Sequence, residues 1–118
     1  EEGPELGTWK GTTSQHKPIE FEIVEGSRGI SRLRLQVEGE FASGDTCSLA
    51  ETFVFDPTVA IVDNTFSDDR YLYEISGTFD SRTKASGDLR LYRIPIPGYP
   101  GAFFECLSGR VTWEASHQ

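Results

Sequence analysis

Two cysteines, two histidines and nineteen carboxylates are the residues of this chain that could carry chemistry. Cys47 and Cys106 stand far apart and match no zinc spacing, and His16 and His117 are the only imidazoles available to complete a zinc site. The choice is then between a disulfide and two inert buried thiols, and the disulfide is the expectation, because an even cysteine count in a small chain rich in Ser and Thr fits an oxidising compartment. Closing so long a loop contributes about 4 kcal/mol in the chain-entropy model. The pair therefore predicts an exported protein, extracellular or at the cell surface.

A nucleophilic triad needs a histidine oriented by a buried carboxylate. His16 lies in Ser14-Gln15-His16-Lys17-Pro18, which reads as an exposed loop, and His117 is next to last, where a free end holds no base in register. A glycosidase pair needs carboxyl groups on opposite sides of the scissile bond. Glu20 and Glu22 alternate along one predicted strand and so stand side by side on its wet face, leaving Glu51 alone. No Gly-rich phosphate loop of the required pattern is present. No catalytic residue is assigned, and the chain is read as not an enzyme.

One loop has the composition of a cation site. Asp63-Asn64-Thr65-Phe66-Ser67-Asp68-Asp69 carries three carboxylates, Asp63, Asp68 and Asp69, and calcium takes six to eight oxygens, some from backbone carbonyls. The EF-hand spacing is absent, and Asp and Asn are turn formers in any case. Calcium at these three residues is the one candidate ligand; no other cofactor is expected.

Contact chemistry points elsewhere. Three prolines in Pro95-Ile96-Pro97-Gly98-Tyr99-Pro100-Gly101 stiffen a neutral insertion in an otherwise acidic chain, so holding Tyr99 and Ile96 outward costs little further entropy. Tyr92 and Tyr71 are expected on an outward face nearby. Such rings stack on sugars or fill a pocket of a neighbouring protein. The competing expectation is that Ile96 and Tyr99 fold back over one end of the core.

The elements that position these residues are strands almost throughout. Ile19-Glu20-Phe21-Glu22-Ile23 and Leu33-Arg34-Leu35-Gln36-Val37 alternate strictly, one face apolar and the other polar. Tyr71, Tyr73, Ile75 and Phe79 share one parity, and Val111-Thr112-Trp113-Glu114-Ala115 closes the chain in the same way. Turn signals separate them at Gly26-Ser27-Arg28-Gly29, Asp56-Pro57, Asp63-Asn64, Asp80-Ser81 and Pro97-Gly98. Strands are placed near 8–13, 18–25, 30–38, 48–55, 59–62, 70–79, 86–94, 102–107 and 109–115. No segment has helical periodicity. The reading is one all-β domain over 1–118, with an extended lead at 1–7 and the Pro-rich loop at 95–101. An antiparallel two-sheet sandwich (jelly-roll or Ig-like) of eight or nine short strands is preferred over a closed barrel. The reason is Phe103-Phe104, where aromatics occupy both parities as in a strand buried on both faces.

Composition narrows the partners. The 118 residues are 36% hydrophobic and 25% charged, enough to bury one core, and the net charge is −8. That sign opposes a nucleic-acid backbone or an anionic membrane surface. No apolar run approaches the ~20 residues of a membrane-spanning helix. The first residues show no secretory signal, and the chain contains no Met, so a mature or excised segment is expected.

The segments Gly7-Thr8-Trp9-Lys10-Gly11-Thr12-Thr13-Ser14-Gln15 with Ile19 to Ile23, Ile75-Ser76-Gly77-Thr78-Phe79-Asp80-Ser81 with Ala85-Ser86-Gly87, and Cys106-Leu107-Ser108-Gly109-Arg110-Val111-Thr112-Trp113-Glu114-Ala115 carry a resemblance. Together they resemble a recurrent small β-sandwich module of exported bacterial proteins that has no generally assigned activity. The resemblance implies an extracellular β-fold and transfers no catalytic residue; residues 95–101 depart from it. The expected function is a non-catalytic extracellular module for surface architecture or assembly, a repeated domain or filament-type subunit. It would contact copies of itself or another cell-surface protein. A carbohydrate-binding module using Tyr99 and Tyr92 on a polysaccharide is the alternative.

Overall fold

The computed structural model describes residues 3–24 and 29–118; the first two residues, the last position of the strand expected at 18–25 and all but Gly29 of the turn expected at 26–29 lie outside them. Ten strands follow one another with no helix among the described residues. They are β1 (Gly7–Thr13), β2 (Pro18–Val24), β3 (Gly29–Glu40), β4 (Thr46–Ala60) and β5 (Thr65–Asp69). Then come β6 (Tyr73–Phe79), β7 (Lys84–Leu91), β8 (Arg93–Pro95), β9 (Phe103–Glu105) and β10 (Val111–His117).

Eight of the ten form one antiparallel sheet in the order β4-β3-β2-β1-β10-β7-β6-β5, and β8 and β9 form a separate two-stranded ribbon. The first strand thus sits mid-sheet, and the last, β10, slots between β1 and β7. Thr13 is opposite Trp113 on one side of β10, and Gly87 is opposite Trp113 on the other. The strands do not divide into the two sheets of a sandwich. Instead the single sheet curls towards the closed-barrel alternative. Phe21 of β2 meets Phe66 of β5 at 6.1 Å and Phe79 of β6 at 6.2 Å, and Phe53 of β4 meets Tyr73 of β6 at 4.9 Å. Strands far apart in the order touch across the interior, as only a curled sheet allows. Closure stops short at the two ends of the order: β4 and β5 meet at the Val62–Thr65 turn and share no ladder beyond it.

The interior is packed with aromatics. Trp9 stacks on Phe21 at 5.7 Å and meets Phe79 edge-on at 5.1 Å, and Trp113 meets Phe21 edge-on at 5.8 Å. Both indoles are fully buried and both donate, Trp9 Nε1 to the Glu5 carbonyl and Trp113 Nε1 to the Ser76 carbonyl, which removes the penalty for burying the N–H groups. Gly77 makes room for Trp113 and Phe66: a Cβ there would stand 2.5 Å from the Trp113 ring and 2.6 Å from the Phe66 ring. The lead before β1 is tied down, with the Glu5 amide on the Arg82 carbonyl and an ion pair between the two side chains.

Several boundaries depart from the sequence reading: the strand expected at 70–79 begins only at Tyr73, and that expected at 86–94 breaks at Tyr92 into β7 and β8. Asp56-Pro57 does not reverse the chain; the predicted strands at 48–55 and 59–62 are one 15-residue strand, β4, whose pairing with β3 shifts register between Ile30 and Arg32. Residues 65–69, expected as a polar loop, are the strand β5 paired residue for residue with β6. Phe66 is the one apolar residue on its inward parity, which it shares with Asp68, too little alternation to be seen beside its Asp and Ser neighbours.

Candidate functional site

Cys47 and Cys106 are joined, and both are buried. Cys106 belongs to the long connection from β7 to β10, and Cys47 to β4 on the far side of the sheet order. The bond therefore ties that connection across one end of the curled sheet. Backbone bonds reinforce it: Leu107 and Glu40 exchange two, and the Tyr92 amide donates to the Leu72 carbonyl.

From this base the β8–β9 ribbon projects, with Arg93 opposite Glu105, Ile94 opposite Phe104 and Pro95 opposite Phe103. Its tip consists of two successive turns. The Tyr99 amide donates to the Ile96 carbonyl across Pro97-Gly98, and the Ala102 amide donates to the Tyr99 carbonyl across Pro100-Gly101. Gly98 and Gly101 have φ of 81° and 82°. Proline second and a left-handed glycine third is the type II arrangement, and only glycine takes that φ without strain. Tyr99 ends one turn and begins the next, so its backbone is doubly constrained while its side chain stays 67% exposed.

Further apolar rings surround the ribbon. Phe103 meets Tyr71 edge-on at 4.7 Å on one side, and Phe104 meets Phe41 edge-on at 5.7 Å on the other. The Arg93 guanidinium lies 4.2 Å above the Tyr71 ring and donates to the Tyr71 carbonyl. Tyr71, Phe103, Phe104 and Leu107 all remain exposed. Phe103-Phe104 is apolar on both parities, but because the ribbon lies at the rim of the core, with Ile94 packed against it, rather than inside a layer.

The other contact residues separate. Ile96 is half-buried at the ribbon tip. Tyr92 is also half-buried, its hydroxyl 2.8 Å from a Glu74 oxygen on β6. That hydrogen bond holds the Tyr92 hydroxyl above its ordinary pKa, and it directs the side chain to the sheet wall rather than towards Tyr99.

The chemical candidates are placed as follows. His16 is exposed in a tight turn at φ 63°. His117, expected on a loose end, is held in β10, with its Nε2 2.7 Å from the Leu6 carbonyl and its ring edge-on to Trp9. Neither imidazole bonds a carboxylate among the described residues. Glu20 sits between Lys10 and Arg34 in register, and Glu22 faces Arg32, so these carboxylates are rungs of a cross-strand charge ladder. Asp63 lies in the turn before β5, whereas Asp68 and Asp69 lie at its far end on alternate faces. Asp68 is occupied: Arg70 Nε donates to both its oxygens at 2.9–3.0 Å and the Tyr73 hydroxyl donates at 2.8 Å. Among the described residues no group of three or more His, Cys, Asp or Glu is arranged to hold a metal ion.

An open hollow of about 680 Å³ on the outer sheet face is lined by hydroxyls, including those of Thr12, Thr78, Ser86 and Thr112, beside an Arg110–Asp88 ion pair. No helix among the described residues is long and apolar enough to cross a membrane. Comparison with protein-family models, curated proteins and solved structures finds no match to this chain.

Proposed function

We propose that the chain is a non-catalytic extracellular β-module that serves surface architecture or assembly, as a repeated domain or filament-type subunit. Its contact element is the disulfide-anchored ribbon, which meets another copy or a cell-surface protein. The observation that carries this reading is the exposed ring cluster of Tyr71, Tyr99, Phe103 and Phe104 on a doubly turned, cross-linked ribbon. Aromatics and arginine dominate the energetics of protein interfaces, and a pre-ordered loop loses less entropy on docking. The disulfide favours an oxidising compartment, which agrees with the resemblance to an exported module.

The inclination of the rings favours protein over sugar. A pyranose stacks on a free, flat ring face, whereas Tyr71 has Arg93 above it and Phe103 at 64° beside it, and Phe104 stands at 78° to Phe41. Interlocking knobs of this kind fit a complementary protein pocket. Tyr99 is the exception, since no other ring packs on it among the described contacts and it is 67% exposed. That observation favours the second reading, a carbohydrate-binding module with Tyr99 as the stacking group.

Sedimentation of the native protein over a concentration series tests the first reading. Expected is an association that weakens at least tenfold in a Tyr99→Ala, Phe103→Ser double variant. A monomer at every concentration, retained on immobilised polysaccharide through Tyr99, transfers the assignment to the second.

A further inference from the structure

The curled sheet has one open seam, bordered by β4 and β5. β4 pairs with β3 on one side, and beyond the Val62–Thr65 turn no ladder joins its other side to β5. Alternate residues of a strand direct their N–H and C=O to the same side, so along residues 48–56 the border of β4 away from β3 presents backbone groups with no ladder partner. Edges of this kind are templates for an added strand.

The side chains along the seam specify what could be added. Cys47, Leu49, Phe53 and Phe55 share the core-facing parity of β4, and Glu51 shares it too. Its register partner Leu35 is buried, yet Glu51 is exposed and has no ion-pair or hydrogen-bond partner among the described residues. Water therefore reaches the inner side of the seam at this point. Asp56 adds an exposed carboxylate on the outward parity and Asp69 another on β5. The cation already at the seam is Arg70, whose guanidinium sits 4.8 Å above the Phe55 ring while bonded to Asp68. An inward-facing carboxylate protects an edge against chance pairing. It also opposes a second copy of this acidic chain, because two β4 edges would bring like charges together.

We propose that the β4 border of the seam is an acceptor for an extended segment of a partner protein. That segment alternates apolar residues with lysine or arginine, and one cation stands opposite Glu51. The apolar residues of the segment extend the inner face beside the half-buried Phe53, and its backbone continues the ladder of β4. This surface is independent of the ribbon contact, and Tyr99→Ala leaves it intact.

A capped peptide, Lys-Val-Thr-Val-Thr-Lys-Thr-Val-Thr, written to lie antiparallel to residues 48–56, is the probe. Fluorescence anisotropy of the labelled peptide reads binding to the intact, oxidised protein. Saturable binding is expected. N-methylation of alternate amides should weaken it at least about tenfold, by removing several ladder hydrogen bonds. Replacing both lysines by glutamate, or Glu51 by Gln in the protein, should weaken it about threefold to fivefold, the scale of cross-strand charge pairs. Equal binding of the methylated or the acidic peptide would overturn the proposal, as would no binding to a protein whose melting curve is native. Efficient oxidative cross-linking of an Ala50→Cys variant to itself at micromolar concentration would also overturn it, by making a second copy the occupant.

Discussion

The sheet wall and the β8–β9 ribbon use the same residue types for opposite ends. In the wall Trp9 and Trp113 are 0% and 1% exposed, whereas on the ribbon Phe104 and Tyr99 are 48% and 67% exposed. Each wall strand has an interior on one side, so one parity of its side chains is withdrawn from water and the aromatics there stabilise the fold. The ribbon has only three residues per strand and no enclosed core of its own. Its order comes from local turn geometry, one covalent bond and the few hydrogen bonds at its base, and its rings remain available to another surface. An aromatic residue thus contributes to stability or to contact according to what lies beneath its strand.

Substitution in the wall should show the largest effect. Trp113→Ala empties the site bordered by Gly77, Phe21 and Phe66 and should cost about 3–5 kcal/mol in urea unfolding, the usual range for a buried aromatic. A loss under about 1 kcal/mol would mean that the ring is not part of a packed interior.

The covalent anchor comes next. Replacing both Cys47 and Cys106 with Ser should cost about 2–4 kcal/mol. Limited proteolysis should then cut first between residues 92 and 110, with the wall still intact. Simultaneous cleavage throughout the chain would mean that wall and ribbon do not differ in local stability.

A pH titration separates the regions further. Burial, together with its hydrogen bond to Asp68, raises the pKa of the Tyr73 hydroxyl well above the ordinary value of 10.0. The protonated phenol is the form the fold favours, so its stabilisation is complete below pH 10 and is lost as pH climbs through the raised value. The melting temperature should accordingly fall above pH 10. Tyr73→Phe should flatten that fall, while costing about 1 kcal/mol at neutral pH for the hydrogen bond removed. An unchanged alkaline slope in the variant would remove Tyr73 from the account.

Tyr99→Ala should change stability by less than about 0.5 kcal/mol, as exposed substitutions do, while weakening association. A drop of several degrees with association untouched would make the tip of the ribbon a cap on the core. The smallest effect expected is that of a chelator. Asp63 and Asp69 lie at opposite ends of β5 and Asp68 already holds Arg70 and Tyr73, so the melting curve should not move. A fall would place a bound cation there by mass action.

Much of the wall was legible because alternation is a local property. Residues 18–24, 29–40 and 111–117 declare their inner faces one residue at a time, and each was expected within two or three positions of its observed ends. Strand β5 escaped because one inward apolar residue, Phe66, makes no period, and Asp and Asn are as common in turns as on a wet face. Of the candidate site, Tyr99 and its prolines were visible through turn chemistry. Phe103 and Phe104 were visible as residues but not as a surface, since two apolar parities describe a strand buried on both sides and a ribbon buried on neither.

Composition and period by themselves determined that this chain is all-β, and they led to the expectation that its two cysteines pair and that a stiff Pro-Gly loop surrounds Tyr99. These follow from side-chain direction, backbone φ preference and the presence of only two thiols. That Tyr99 faces outward rather than folding back was decided by the tertiary structure. Only the tertiary structure decided that the strands form one curled sheet rather than two layers, that β10 closes against β1, and that β4 and β5 leave a seam. Strand neighbours are chosen by pairings between distant residues, and the energy of each depends on what the rest of the sheet has already enclosed.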